Sequence, residues 1–180
     1  MRCRLVGSEM CIRDSYGLVD AASGKYVTRD ETEPMDKYIN GIVGSSTFPG
    51  VFPIMDKLDA GKAYYDGGVS RVVDIATAVN ECKAKVGGDE SKVTIDIILC
   101  SGGTFKVKDT SKFHAIRMGL RYLEIRNFYR TMDQIIRAQA AYKKVNFRYV
   151  VAPSYKLETG IIPFHFDSKE IEHNIAHGID

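Results

Sequence analysis

The stretch that most constrains the fold is residues 93–99, Val93-Thr94-Ile95-Asp96-Ile97-Ile98-Leu99, where five of seven side chains are aliphatic. A strand with one wet face alternates apolar and polar residues. A near-continuous apolar run has to be covered on both faces, as strands are in an α/β sheet with helices on either side. Asp96 is the exception inside the run, and it must reach the surface or find a partner, because an unpaired buried carboxylate is very costly.

Helices able to provide that cover are readable from spacing. Residues 72–86 place Val72, Ile75, Ala76, Val79, Cys82 and Val86 at helical intervals, and Gly87 supplies a left-handed stop. Pro34 suits the first turn of an earlier helix, where its missing N–H costs nothing, with Thr32 as N-cap. Met35, Tyr38, Ile39, Ile42 and Val43 then form its apolar face, and it runs out in Gly44, Ser45 and Ser46, small enough to let an opposing chain approach closely. A long helical pattern covers residues 112–142, with one break expected near Asn127; Phe113, Ile116, Leu120, Leu123, Met132, Ile135, Ile136 and Tyr142 mark its apolar side. A closing helix opens at Asp167 or Ser168, with Glu170 placed for a capping box.

Extended segments lie between. Residues 16–28 read as a hairpin turning at Ala22-Ser23-Gly24-Lys25, and residues 54–65 as a second one turning at Asp59-Ala60-Gly61. Residues 147–151 form a last strand, ended by Pro153. The second hairpin delivers Tyr64-Tyr65-Asp66-Gly67-Gly68-Val69-Ser70. Two aromatics favour a strand and two glycines end it, so Asp66 sits where the chain turns sharply. The glycines permit positive φ or a close approach by another backbone. A carboxylate on a rigid strand tip is well held, as a general base must be. The same residues would also make an ordinary Asp-Gly-Gly turn.

At 180 residues the chain can bury a core of its own as one domain or a large part of one, and its formal charge of +2 gives no global field suited to nucleic acid. No run of about 18 apolar residues suggests a transmembrane segment. Four cysteines show neither metal-ligand spacing nor a disulfide framework; Cys82 and Cys100 read as buried thiols, and a cytoplasmic setting is permitted. Residues 106–148 hold eleven Lys/Arg against three Asp/Glu, a solvated helix face or a surface for anionic lipid head groups. His173 and His177 are one helical turn apart and His165 precedes them, but no third ligand is spaced to complete a metal site, and surface histidines are expected.

Residues 1–15, MRCRLVGSEMCIRDS, fit neither a helical nor a strand period and lack the apolar core of a signal peptide. From Val6 onward they look like translated sequencing-adapter read-through, so the native protein is expected to begin near Tyr16; the alternative is an ordinary irregular N-terminus.

Upstream of Asp66 lies Gly44-Ser45-Ser46-Thr47-Phe48-Pro49-Gly50-Val51-Phe52-Pro53. In this order and separation, that segment and Asp66-Gly67-Gly68 resemble the patatin-like family of lipid acyl hydrolases, over residues 16–180. The resemblance implies a three-layer α/β fold, a sheet flanked by helices, present here without its N-terminal nucleophile half. It implies a Ser–Asp dyad in which Asp66 is the base and Gly67 and Gly68 are its neighbours, acting on lipid or phospholipid esters with no metal or cofactor. The family's serine sits in Gly-x-Ser-x-Gly, after a glycine-rich oxyanion loop, and this chain has neither. The chain alone is therefore expected to be inert, and residues 93–99 to show apolar surface to water. Two alternatives stand beside this: a non-catalytic binding or regulatory module of patatin-like shape, and an unrelated α/β enzyme using Cys100 with His114.

Overall fold

The computed structural model describes residues 3–5, 10–11, 14–49, 52–100, 105–154, 157 and 167–179, of which residues 3–5, 10–11 and 179 by backbone alone. Among the described residues the chain is mixed α/β, with four α-helices and two small sheets. The elements in order are β1 (Cys3–Leu5), β2 (Met10–Cys11), β3 (Ser15–Asp20), β4 (Tyr26–Asp30), α1 (Met35–Gly44), β5 (Tyr64–Asp66), α2 (Ile75–Lys85), β6 (Val93–Ile98), α3 (Ala115–Ala141), β7 (Asn146–Val151) and α4 (Ser168–Ile179). They fall into two compact units, one of residues 2–95 and 129–146, the other essentially of residues 96–128 and 147–180.

In the first unit, β3 and β4 form the expected hairpin, in register at Leu18 with Val27. Gly24 takes the left-handed conformation the turn needs (φ +68°), and the Asp20 carboxylate accepts from the amides of Ala22 and Ser23. β5 pairs antiparallel with the other edge of β3, giving the order β4-β3-β5. Leu18, Leu58 and Tyr64 form the buried cluster beneath, packed by Tyr16, Val27 and Met55. Residues 54–65 form less of a hairpin than expected: Met55 and Tyr64 make a single antiparallel bridge, and Leu58 goes into the core. Gly61 at φ +74° still turns the chain.

Helix α1 starts where expected, but Pro34 itself occupies the N-cap position without a side-chain cap, and Thr32 hydrogen-bonds to Asp30 instead. Its expected apolar face is largely exposed, Met35 at 70% and Val43 at 54%. The buried positions are Gly41 and Gly44: Tyr16 lies under Gly41, and Leu18 with Met55 under Gly44. Glycines let the helix axis come closer to β3 than the larger residues would, so the small-residue stripe wins the interface.

Helix α2 begins three residues later than its spacing suggests, with Asp74 as N-cap accepting from the Thr77 amide. Ile75, Val79 and Cys82 are its buried side, and Gly87 (φ +66°) stops it. Cys82 is fully buried, but it is disulfide-bonded rather than the thiol its setting suggested.

β6 is buried as its composition demands: Val93, Ile95 and Ile97 have no exposed surface, and only Ile98 (73%) faces water. The expected exposure of an apolar strand is thus confined to one residue. β1 pairs antiparallel along β6, Leu5 opposite Val93, so residues read as having no strand period form one here. An unpaired edge of β6 offers hydrogen bonds to any extended segment, whatever its side-chain pattern. β6 and β7 are neighbours in the order β2-β1-β6-β7. Their contacts ascend together, Asn146 with Thr94, Arg148 with Asp96 and Val151 with Leu99, which is a parallel pairing reached through α3. Asp96 has found its partner in the Arg148 guanidinium, 2.9 Å from Nε.

α3 carries through Asn127 unbroken; on its expected apolar side Ile135 is buried, but in the second unit Ile116 (74%), Leu120 and Leu123 are exposed. Arg121 is buried instead, stacked 4.3 Å over the Phe105 ring and bonded to Glu124 and the Lys106 carbonyl. A paired guanidinium on an aromatic face can occupy a position that spacing alone assigns to an aliphatic residue. α4 is capped by Asp167, which accepts from the amides of Lys169 and Glu170. No helix among the described residues is long and apolar enough to cross a membrane.

Candidate functional site

Asp66 is the last residue of β5, opposite Leu18 of the central strand β3. Its amide donates to the Thr47 carbonyl (3.1 Å), tying the strand end to the segment that follows α1. Beyond it the chain tightens into a single 3₁₀ turn, Gly67–Val69, which Asp66 caps: its Oδ1 accepts from the Gly68 amide at 2.6 Å. The carboxylate is half-buried. Burial pushes its pKa above the usual carboxylate value, and the Gly68 amide, which favours the charged form, partly offsets this. The carboxyl group is therefore a better proton acceptor than a solvated aspartate, while fixed in direction by one amide.

The two glycines beside it do different jobs. Neither lies in the left-handed region; the positive-φ glycines among the described residues are Gly24, Gly61, Gly87 and Gly88. Gly67 is buried against the β3 backbone, and a Cβ there would fall 2.6 Å from the Gly17 carbonyl oxygen. At Gly68 the nearest atom to a Cβ would be Asp66 Oδ1, at 3.1 Å. Of the two possibilities the sequence left open, close backbone approach is the one used, and at Gly67.

The end of α1 supports the same corner. Ser45 Oγ donates to the Gly17 carbonyl (2.8 Å), Thr47 Oγ1 donates to the Val43 carbonyl, and Thr47 is buried. Within the Phe-Pro-Gly-x-Phe-Pro segment, Gly50 and Val51 lie outside the described residues; the Phe52 amide reaches back to the Phe48 carbonyl (3.2 Å), and both rings are partly exposed. Across β3, the Tyr26 hydroxyl fills the space over Gly17, and Arg71 sits 4.5 Å over the Tyr26 ring while pairing with Asp74. Burial, with Asp74 beside it, raises the pKa of Tyr26.

Two residues that spacing did not single out hold the chain that follows the turn. Arg130 Nη2 donates to the carbonyls of Val69 (2.6 Å) and Ser70, and Gln134 Oε1 accepts from the amides of Val72 (3.0 Å) and Val73 (3.1 Å). Their only trace in the sequence is a separation of one helical turn within α3.

The donor to the Asp66 carboxylate is the Gly68 amide; no hydroxyl or imidazole among the described residues is bonded to it. The remaining candidates do not assemble into sites. Cys100 is an exposed free thiol, not a buried one, and makes no hydrogen bond with His114. His177 Nε2 is 3.4 Å from Ser154 Oγ on the second unit, and His165 lies outside the described residues. Among the described residues no group of three His, Cys, Asp or Glu could hold a metal ion. The basic stretch spends much of its charge internally: Lys108 and Arg121 pair with Glu124, Arg137 with Asp133 and Arg148 with Asp96.

A scan of protein-family models, a search of curated proteins and a search of solved structures each return no match to this chain.

Proposed function

We propose that this chain carries the aspartate half of a patatin-like Ser–Asp acyl hydrolase acting on lipid or related esters, within the C-terminal portion of such a three-layer domain. The observation that carries the proposal is Asp66 itself: a half-buried carboxylate at a strand end, oriented by the Gly68 amide at 2.6 Å, above a glycine wedged on the central strand. A serine hydroxyl is a weak nucleophile and needs a base within about 3 Å to take its proton as the ester carbonyl is attacked. Desolvation of Asp66 raises its proton affinity in the required direction. The oxyanion that forms next needs preorganised donors, which the family places upstream of the serine. This chain contains no Gly-x-Ser-x-Gly, so alone it has a base without a nucleophile.

The lack of that serine also suits the second reading, a non-catalytic module that keeps the shape, and one experiment separates the two. In a complete reading frame that includes the upstream serine region, Asp66→Asn should abolish ester hydrolysis and leave the fold intact; retained turnover would remove Asp66 as the base. A reading frame with no such serine upstream would decide for the binding module. The 180-residue chain itself should hydrolyse p-nitrophenyl esters no faster than buffer.

A further inference from the structure

We propose that Arg130 and Gln134 are positioning residues, a two-pronged clamp that holds the backbone of residues 69–73 and thereby fixes the turn on which Asp66 is mounted. The proposal rests on the reading of Asp66 as a base, and it names what keeps that base in place.

The segment between the turn and α2 has little structure of its own. The amides of Ser70 and Arg71 both point back to the Gly67 carbonyl (3.0 and 2.8 Å), closing the turn, and Asp74 already belongs to the cap of α2. Between them the amides of Val72 and Val73 and the carbonyls of Val69 and Ser70 have no strand or helix partner. Backbone groups left like that are served by water in a mobile loop, or by side chains in a rigid one. Here they are served by side chains. Gln134 Oε1 takes both amides, Gln134 Nε2 donates to the Ser70 carbonyl (3.4 Å), and Arg130 donates to the carbonyls of Val69 and Ser70, five hydrogen bonds from two residues one turn apart. Because α3 is a continuous helix, the spacing of the two prongs is set by helix geometry and not by the loop.

The consequence reaches Asp66 in two steps. The clamp holds Val69 and Ser70, which close the turn onto the Gly67 carbonyl. The turn in turn aims the Gly68 amide at Asp66 Oδ1. A base has to be held to within about half an ångström of its working position, and loops achieve that only with such support. The start of the turn is wedged by Gly67 against Gly17, and the clamp holds the residues that follow it.

The test reads the carboxylate without any ester. In the ¹⁵N-labelled chain the Gly68 amide proton should shift with pH as Asp66 titrates, because it donates to that group. In Gln134→Ala and Arg130→Met this pH-dependent shift should fall by about half or more, and amide protection of Val72 and Val73 by about tenfold. The Val79 amide in the core of α2 should keep its protection, which separates loss of the clamp from loss of the fold. Gln134→Glu keeps an acceptor for both amides and should restore the protection of Val72 and Val73. An unchanged Gly68 titration in both truncation variants overturns the proposal. If either variant also loses Val79 protection, Arg130→Lys decides: a single nitrogen, Nη2, serves both carbonyls, so one ammonium can take its place, and this variant should keep Val79 protection and the parent's Gly68 shift; a shift lost while Val79 stays protected counts against the clamp. None of these readouts depends on hydrolysis, so failure of the clamp leaves the Asp66→Asn activity test standing, and the reverse holds as well.

Discussion

Replacing Gly67 by alanine should unsettle the protein far more than replacing Gly68, although the two are adjacent and equivalent by sequence. An added Cβ at Gly67 meets the Gly17 carbonyl oxygen at 2.6 Å and the carbonyl carbon at 2.7 Å, both backbone atoms of the central strand β3. Ordinary contact needs about 3.5 Å, so the strands must part by about 1 Å. That separation works against the neighbouring Leu18–Asp66 pairing and the Ser45 bond to the same carbonyl. Overpacking of this kind costs about 1–3 kcal/mol, and a weakened hydrogen bond adds about 1 kcal/mol. Alanine recovers about 0.4–1 kcal/mol by restricting the unfolded chain. The net is a loss of about 1–4 kcal/mol, or a Tm lower by about 2–15 °C at this chain length. At Gly68 a Cβ meets only the Asp66 carboxylate oxygen at 3.1 Å, a side-chain atom able to move a few tenths of an ångström. With no left-handed φ to forbid alanine, Gly68→Ala should stay within about 0.5 kcal/mol of the parent. Thermal melts followed by circular dichroism, with urea titrations for ΔG, measure both variants. Equal losses at the two positions, or a Gly67→Ala melt indistinguishable from the parent, would refute the wedge.

Two further outcomes test charge. The Tyr64 hydroxyl donates to Asp59 Oδ2 at 2.6 Å from inside the core, and that bond is the main influence holding the Asp59 carboxyl below its usual pKa. Tyr64→Phe should cost about 1–3 kcal/mol near neutral pH. A depressed carboxyl stabilises above its unfolded pKa and loses that contribution on acidification, so the penalty should shrink as pH falls below about 4, and a pH-independent penalty in urea titrations would contradict it. Asp66 has the opposite sign: burial raises its pKa in the fold, so its favourable contribution is complete below the unfolded value of about 3.9 and is lost as pH rises through the folded value. Asp66→Asn should therefore raise Tm near pH 7 and leave it unchanged near pH 3, and a gain of equal size at both would show that the carboxylate is not desolvated.

What could be read in advance was governed by neighbours along the chain. The β3–β4 hairpin follows from its turn residues, the stop of α2 from Gly87, the end of β7 before Pro153 from the proline, and the place of Asp66 at a strand end from two aromatics followed by two glycines. The need of β6 for cover followed from composition, but the exposure expected for it in this chain did not occur beyond Ile98, and β1 pairs along its edge. Everything that depended on closeness between distant segments had to wait for the tertiary structure. Spacing put the large residues of α1 inside, but Gly41 and Gly44 took the interface because they let the helix approach β3 more closely. Spacing gave aliphatics the buried side of α3, but a guanidinium with an aromatic face and a carboxylate to satisfy it is buried there at Arg121. Nothing local distinguishes Gly67 from Gly68, or marks Arg130 and Gln134 as partners of residues some sixty positions earlier. Those distinctions arise from steric exclusion and hydrogen-bond geometry, which act across space between segments that the chain order keeps apart.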